Sequence, residues 1–343
     1  MKPISPNVAN FSAQPADAST GVWLCLVTYS TNPVNEIGQY LPGWQIVWNG
    51  VQTFDGNYAF IASDAAGENF ALAIRGSLPP KDIFSNWNAF ANWILEDLDV
   101  VTQSKWPYTS PTINDAVVSS GAYLAFTNME CMRDSLGSGL SLLQFLQQHV
   151  INAGKKLLIT GHSLGGNMAN VYASYLVQQI SVTGYVASKL SLFTFAAPAS
   201  GNSSFARDLD DKLPNAWHYH NANDIIPNCP VSNLIILTGL LYTPQPAAYK
   251  ISVTFKGLTV TLQEAFLMLG GIFLLYDYQQ ESNHYVIFGT DLYPEYEDNT
   301  IEDWSAQAGA QHALSNYASF LGIDLPVVTT NSLVRPLVAP ALG

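Results

Sequence analysis

At 343 residues the chain can bury a large core, and its 48% hydrophobic residues stand against only 11% charged ones. The formal net charge of −13 argues against a nucleic-acid partner and against charge-driven binding to anionic membranes, leaving neutral substrates and neutral interfaces. Three widely spaced cysteines, Cys25, Cys131 and Cys229, make no metal or disulfide pattern and read as small buried hydrophobes.

The start, 1–16, has one lysine and no apolar h-region, so no signal peptide is read. That fits a cytoplasmic chain or a secreted one lacking its leader, and no apolar run reaches the length that spans a bilayer. A helix is expected over 20–29, then strands over 44–48, 58–63 and 69–74, with a turn at 64–67. The third strand runs into Ile74-Arg75-Gly76-Ser77, where Arg75 reads as a structural ion pair tying the loop down. Pro79-Pro80 then stops regular structure. Over 82–95, Phe84, Trp87, Phe90 and Trp93 recur at helical spacing, which suits either a lid whose apolar face meets lipid or an ordinary core helix.

A strand over 94–101 and helices over 122–134 and 140–152 are expected next. An apolar run at 155–160 then enters Gly161-His162-Ser163-Leu164-Gly165-Gly166. Glycines two before and two after a serine fit the G-x-S-x-G elbow, a sharp strand-to-helix turn in which flanking side chains would clash. Helical spacing resumes with Met168, Val171, Tyr172, Tyr175 and Leu176. Further on, the pattern predicts a strand over 191–195, a helix over 205–213 and a strand over 216–221. The region 229–281 reads as an insertion, with a hairpin around Lys256-Gly257 and two flanking apolar runs that form either a cap or a buried helix pair. A final strand over 284–289, an acidic loop over 293–303 and a closing helix over 313–321 complete the pattern, before a Pro-rich tail. Strands alternating with helices imply a mainly parallel sheet with helices on both faces and a site at the carboxyl ends of the strands.

That edge selects the partners of Ser163, because a serine hydroxyl needs a base, and the base an orienting acid. His149 lies in a helix, and His162 is in the elbow with its ring turned from the serine. His218 and His220 share one face of a strand but lack a third metal ligand, so no metal is expected. His284 begins a strand at the wrong edge, whereas His312 follows the last strand and precedes the last helix, so His312 is taken as base. Asp224 follows a strand's carboxyl end, while Asp208, Asp210 and Asp211 look like solvated charges on a polar helix. The order Ser163, Asp224, His312 is that of an α/β-hydrolase triad. Oxyanion donors are expected at the N–H groups of Leu164 and Ser77.

With these residues placed, the chain resembles the class three lipases, the fungal-type triacylglycerol lipase family of α/β-hydrolases. Thr160-Gly161-His162-Ser163-Leu164-Gly165-Gly166 is similar to the family's T-G-H-S-L-G-G elbow, and Ile74-Arg75-Gly76-Ser77 to its F-R-G-[ST] block. Pro198 with Gly201-Asn202 resembles its G-x-P-x-x-G-N segment, and the run 221–227 resembles N-x-x-D-[IV]-V-P. Ile74, Ala197 and Ile226 depart from the pattern, and 229–281 has no clear counterpart. The resemblance implies acyl ester hydrolysis, no cofactor, and a lid just after the oxyanion block.

The whole chain, 1–343, therefore reads as one α/β-hydrolase domain with a candidate lid at 82–95 and a candidate cap at 229–281. Its expected activity is hydrolysis of neutral acyl esters, glycerol esters included, through an acyl-serine, with transient contact at a lipid–water interface. A phospholipase or polymeric-ester hydrolase is the alternative within that class. A catalytically inactive fold used for binding is the alternative from another. Oligomeric state is not readable.

Overall fold

Seven strands pair in chain order: β1 (Trp44–Asn49), β2 (Tyr58–Asp64), β3 (Asn69–Arg75), β4 (Lys156–His162), β5 (Leu190–Phe195), β6 (Ala216–Asn221) and β7 (Tyr285–Phe288). The first three run antiparallel, and β3 through β7 are parallel. This computed structural model describes residues 15–76, 87–92, 99–181 and 183–326. β3, β4 and β5 are buried along almost their whole length, as near-continuous apolar runs covered on both faces must be.

The period of two sorts their side chains. Leu157, Ile159, Leu190 and Leu192 join one core with α2 (Ser120–Cys131) and α3 (Leu164–Ile180). Leu158, Phe193 and Phe195 join a second on the opposite face, with α1 (Ala16–Thr28) and the last described helix, Leu314–Phe320. The sheet is thus a mainly parallel one with helices on both faces, the α/β-hydrolase architecture.

A third apolar cluster sits at the carboxyl edge. It gathers Leu164, Ile225 and Ile226 from the main body with Trp87 and Phe90 and with much of the 229–281 insertion. The insertion folds as α4 (Ser232–Thr238), a two-stranded hairpin (Ser252–Phe255 with Leu258–Thr261) and α5 (Leu262–Phe273). Thr261 caps α5 reciprocally with Glu264. The helices cross so tightly that a Cβ on Gly270 would stand 2.5 Å from Ile236 Cγ1 and 2.8 Å from the Ser232 carbonyl oxygen.

Several sequence readings need correction. The acidic stretch 293–303 is not all loop, because α6 (Ile301–Gln311) starts inside it, capped by Thr300 and carrying Glu302 and Asp303 in its first turn. His312 therefore sits between two helices, α6 and α7 (Leu314–Phe320). No strand is described over 94–101: residues 93–98 lie outside the described residues, and 99–100 are irregular. Short strands Gln103–Lys105 and Val117–Ser119 instead build a small second sheet. Cys25 and Cys229 are buried, but Cys131, closing α2, is exposed. Asp208 is not solvated; it is fully buried, receives the Ser110 N–H at 2.8 Å and pairs with Lys212 at 2.6 Å. Asp210 accepts from the N–H groups of Ser282 and Asn283. Among the described residues no helix is long and apolar enough to cross a membrane.

Candidate active site

β4 ends in the elbow. Ser163 has φ 57° and ψ −130°, a strained conformation for a residue with a side chain, held by its N–H donating to the Phe195 carbonyl at 2.9 Å. The space around the turn explains the flanking glycines. A Cβ on Gly161 would meet the Gly165 carbonyl oxygen at 2.1 Å, and one on Gly165 would meet the Ile74 carbonyl oxygen at 2.2 Å. No side chain fits at either position.

The elbow lifts Ser163 Oγ to 2.8 Å from His312 Nε2, and His312 Nδ1 lies 2.8 Å from Asp224 Oδ2. Asp224 is fully buried just past the carboxyl end of β6. Burial alone would raise its pKa; the His312 ring, the Tyr317 hydroxyl at 2.6 Å and the Ile226 N–H at 2.9 Å outweigh that and hold it below the usual value. An ionised Asp224 accepts only, which assigns the proton to Nδ1 and leaves Nε2 to accept from Ser163.

Residues 71–234, which include the elbow and Asp224, match the sequence model of the class 3 lipase family. This segment belongs to the class 3 lipase family. Within it and beyond, the chain is 24% identical over 186 residues to the secreted mono- and diacylglycerol lipase 1 of Fusarium solani, covering 54% of this chain and 46% of that one. It is also 33% identical over 87 residues to a lipase of Caenorhabditis elegans, covering 25% and 22% respectively. The chain thus spans less than half the length of these curated relatives. The solved structure of M37 lipase superposes with a TM-score of 0.69 at 20% identity, over 92% of this chain and 96% of that chain, a likeness of fold.

His312 lies outside the class 3 lipase match, and a buried scaffold holds it. Asn221 donates through Nδ2 to the Gln311 carbonyl at 3.0 Å and to Gln311 Oε1 at 2.9 Å. His162 turns from Ser163, yet its Nε2 lies 3.1 Å from the His312 carbonyl oxygen and its Nδ1 3.2 Å from the Tyr29 hydroxyl. A carbonyl can only accept, so Nε2 carries the proton. Burial, with the neighbouring His312 acting in the same direction, pushes the His162 pKa down to about 3, so the ring is neutral. Sequence reasoning missed Tyr29, His162, Asn221 and Tyr317 in this role, because each supports the site from a different element. For His162 the strand alternation through Ser163 was the available signal.

Leu164, expected to supply an oxyanion donor, heads α3, among the first-turn N–H groups that have no intrahelical acceptor. Gly76 presses against it, since a Cβ there would be 2.3 Å from Leu164 Cβ. Ser77 lies outside the described residues, as do Phe84 and Trp93. Arg75 is structural but makes no ion pair among the described residues. It donates to the Thr28 carbonyl at 2.9 Å and to Gln52 Oε1 at 2.6 Å, with its guanidinium over the Tyr58 ring. Carbonyl acceptors take the place of the acid expected from sequence.

Trp87 and Phe90, on a helix at Trp87–Asn92, are buried against the insertion; Trp87 contacts Phe266 at 5.0 Å and Phe255 at 5.8 Å between ring centroids. A narrow recess of about 40 Å³ opens beside Leu164, walled by Gly76, Ala122, Asn167, Met168, Pro198 and Ala199. Three other histidines are occupied elsewhere. His218 Nδ1 meets the Thr194 hydroxyl, and His220 Nδ1 the Tyr285 hydroxyl. His284 Nδ1 lies 3.1 Å from the Ala216 carbonyl oxygen, at the amino edge. Among the described residues no group of three His, Cys, Asp or Glu side chains is placed to hold a metal.

Proposed function

We propose that the chain is a serine hydrolase of lipase or carboxylesterase type that cleaves neutral acyl esters, glycerol esters among them. The observation that carries this reading is the unbroken line Ser163 Oγ, His312 Nε2 and Nδ1, Asp224 Oδ2, with both gaps at 2.8 Å. As the Ser163 oxygen attacks the ester carbonyl, His312 Nε2 takes its proton, and buried Asp224 stabilises the imidazolium. The carbonyl oxygen, now an anion, accepts from the Leu164 N–H and from a second donor assigned to the Ser77 N–H. The imidazolium then protonates the departing alcohol and leaves an acyl-serine. Water, deprotonated by the same ring, releases the acid and restores Ser163. The recess beside Leu164 is narrow, but most of its lining is apolar, as the entry to an acyl site would be.

The class 3 lipase match and the named activities of its relatives support the same reading. The test is hydrolysis of p-nitrophenyl butyrate by the full chain, with Ser163→Ala as control. Turnover that falls by about six orders of magnitude is expected, the usual scale for losing a serine nucleophile. Absent turnover in the parent chain, or turnover unchanged in the variant, overturns the reading. A series of triacylglycerol, phospholipid and polyester substrates then fixes the ester class.

A further inference from the structure

The insertion joins the body of the protein through two stalks, and both grip the loop that follows β5. On the entry side the Cys229 carbonyl accepts the Ala199 N–H at 2.9 Å. On the exit side Tyr278 and Gln279 pair antiparallel with Asn202 and Gly201, and the Ser203 hydroxyl donates to Asp277. Gln280, the next residue, reaches further. Its Nε2 donates to the Ala197 carbonyl at 3.0 Å and to the Pro227 carbonyl at 2.7 Å. Ala197 and Pro227 are buried, and neither carbonyl receives another donor among the described residues. At Pro227 the sequence gives the reason: the residue three further on, whose N–H would close a 3₁₀ turn onto that carbonyl, is Pro230. A buried carbonyl without a donor is unfavourable, so one carboxamide decides where both loops sit. Both loops lead to reacting groups. Pro227 follows Ile226, whose N–H donates to Asp224 Oδ1 at 2.9 Å. Ala197 precedes Pro198 and Ala199, whose carbonyls accept from Asn167 Nδ2 at 3.3 and 3.2 Å, and the Asn167 N–H donates to the Ser163 carbonyl. Ala196, at φ 55°, holds a backbone conformation that a side chain disfavours, so this loop keeps its shape only while its neighbours fix it.

We propose that Gln280 is a positioning residue for ester hydrolysis, its one amide fixing the acid-bearing turn at Asp224 against the loop packed on the Ser163 helix. The proposal rests on the serine-hydrolase reading. Gln280 acts through Ile226 on one side and through Asn167 on the other. The leverage is large, because a displacement of about 1 Å at a reacting group can cost about 100-fold in rate. Since Gln280 lies on the exit stalk, the same contact makes the alignment of the acid depend on how the insertion is seated.

The experiment compares the full chain with two variants. Gln280→Met keeps the length of the side chain and removes both donors; Ser203→Ala removes a hydrogen bond of the same stalk that involves neither Ala197 nor Pro227. Two readouts are taken: kcat and KM on dissolved p-nitrophenyl butyrate, and the downfield proton NMR signal of His312 Nδ1–H, identified by its absence in His312→Gln. Gln280→Met is expected to lower kcat by about tenfold or more with KM within about twofold, and to shift or broaden the Nδ1–H signal. Ser203→Ala leaves both readouts unchanged. An unchanged kcat or an unmoved signal in Gln280→Met overturns the proposal. So does an equal loss in Ser203→Ala, which would make general rigidity of the stalk the cause. If Gln280→Met does not fold, Gln280→Asn, whose amide falls one methylene short, carries the same comparison. A parent chain without turnover, whose Nδ1–H signal still moves in Gln280→Met, would sink the hydrolase reading and leave the placement of the acid by Gln280 standing.

Discussion

Asp224 Oδ2 receives two donors, the His312 ring and the Tyr317 hydroxyl, and their unequal roles can be separated by substitution. Asn at 224 presents an N–H where the carboxylate accepted, so Nδ1 must give up its proton and Nε2 loses the capacity to accept from Ser163. Asp224→Asn is expected to lower kcat about 10⁴-fold with KM nearly unchanged. Tyr317→Phe removes one hydrogen bond to a charged group and keeps the tautomer; about a tenfold loss in kcat/KM is expected, from roughly 1.5 kcal/mol. Stopped-flow kinetics on a soluble ester checks both, and equal losses from the two changes would contradict the division of roles. The turn at Ser163 and the place of Asp224 were legible because their constraints are local: glycines where a Cβ would strike backbone, and an aspartate three residues past a strand. Tyr317, Asn221 and Tyr29 were not, since nothing near them in the chain marks a hydrogen bond to a residue some 90 or more positions away.

The insertion is where element-level packing decides most. Gly270 lets α4 and α5 touch backbone to side chain, so Gly270→Val forces a branched side chain onto Ile236 and the Ser232 carbonyl. A loss of about 2–3 kcal/mol is expected from overpacking at this crossing. Urea unfolding followed by tryptophan fluorescence reads it, and a neutral result would mean that the helices separate freely. From sequence, the two apolar runs fitted either a cap or a buried helix pair. In three dimensions they form a helix pair, with one side buried against Trp87 and Phe90 and Leu267, Leu274 and Leu275 exposed. α6 was hidden for a different reason. Its first turn is acidic, which reads as loop until the Thr300 cap and the helix dipole are taken into account.

Across the molecule, buried ionisable groups set how stability responds to pH. Burial pushes His218 and His220 to about 4 and His162 to about 3. Imidazoles in the unfolded chain titrate near 6.5, so their contribution is intact above that value and is lost as pH falls toward 4 and 3. The slope is about 1.4 kcal/mol per ring per pH unit. Glu281 works in the opposite sense. Burial, with Asp210 adding to it, raises its pKa to about 8, and neither carboxyl oxygen has a hydrogen-bond partner on another residue among the described residues. The unfolded carboxyl ionises near 4.5, so the contribution of Glu281 is present below that value and is lost as pH rises through 8. Glu281→Gln is therefore expected to stabilise the protein at pH 8 by roughly 3 kcal/mol more than at pH 5. Urea midpoints at the two pH values check this, and equal effects at both would refute it.

The linear chain was enough to specify the parallel sheet, the elbow at Ser163 and the place of Asp224 past a strand's end. Period-two burial, glycine spacing and strand ends are read within a dozen residues of one another. Tertiary structure alone decided that His312 stands between two helices and meets Ser163 across 149 positions of chain. It also decided that Asp208 is buried, that Arg75 is bound by carbonyls, and that one side of the insertion stays bare. These depend on which distant surfaces meet, and side-chain direction and burial exist only once the layers have packed.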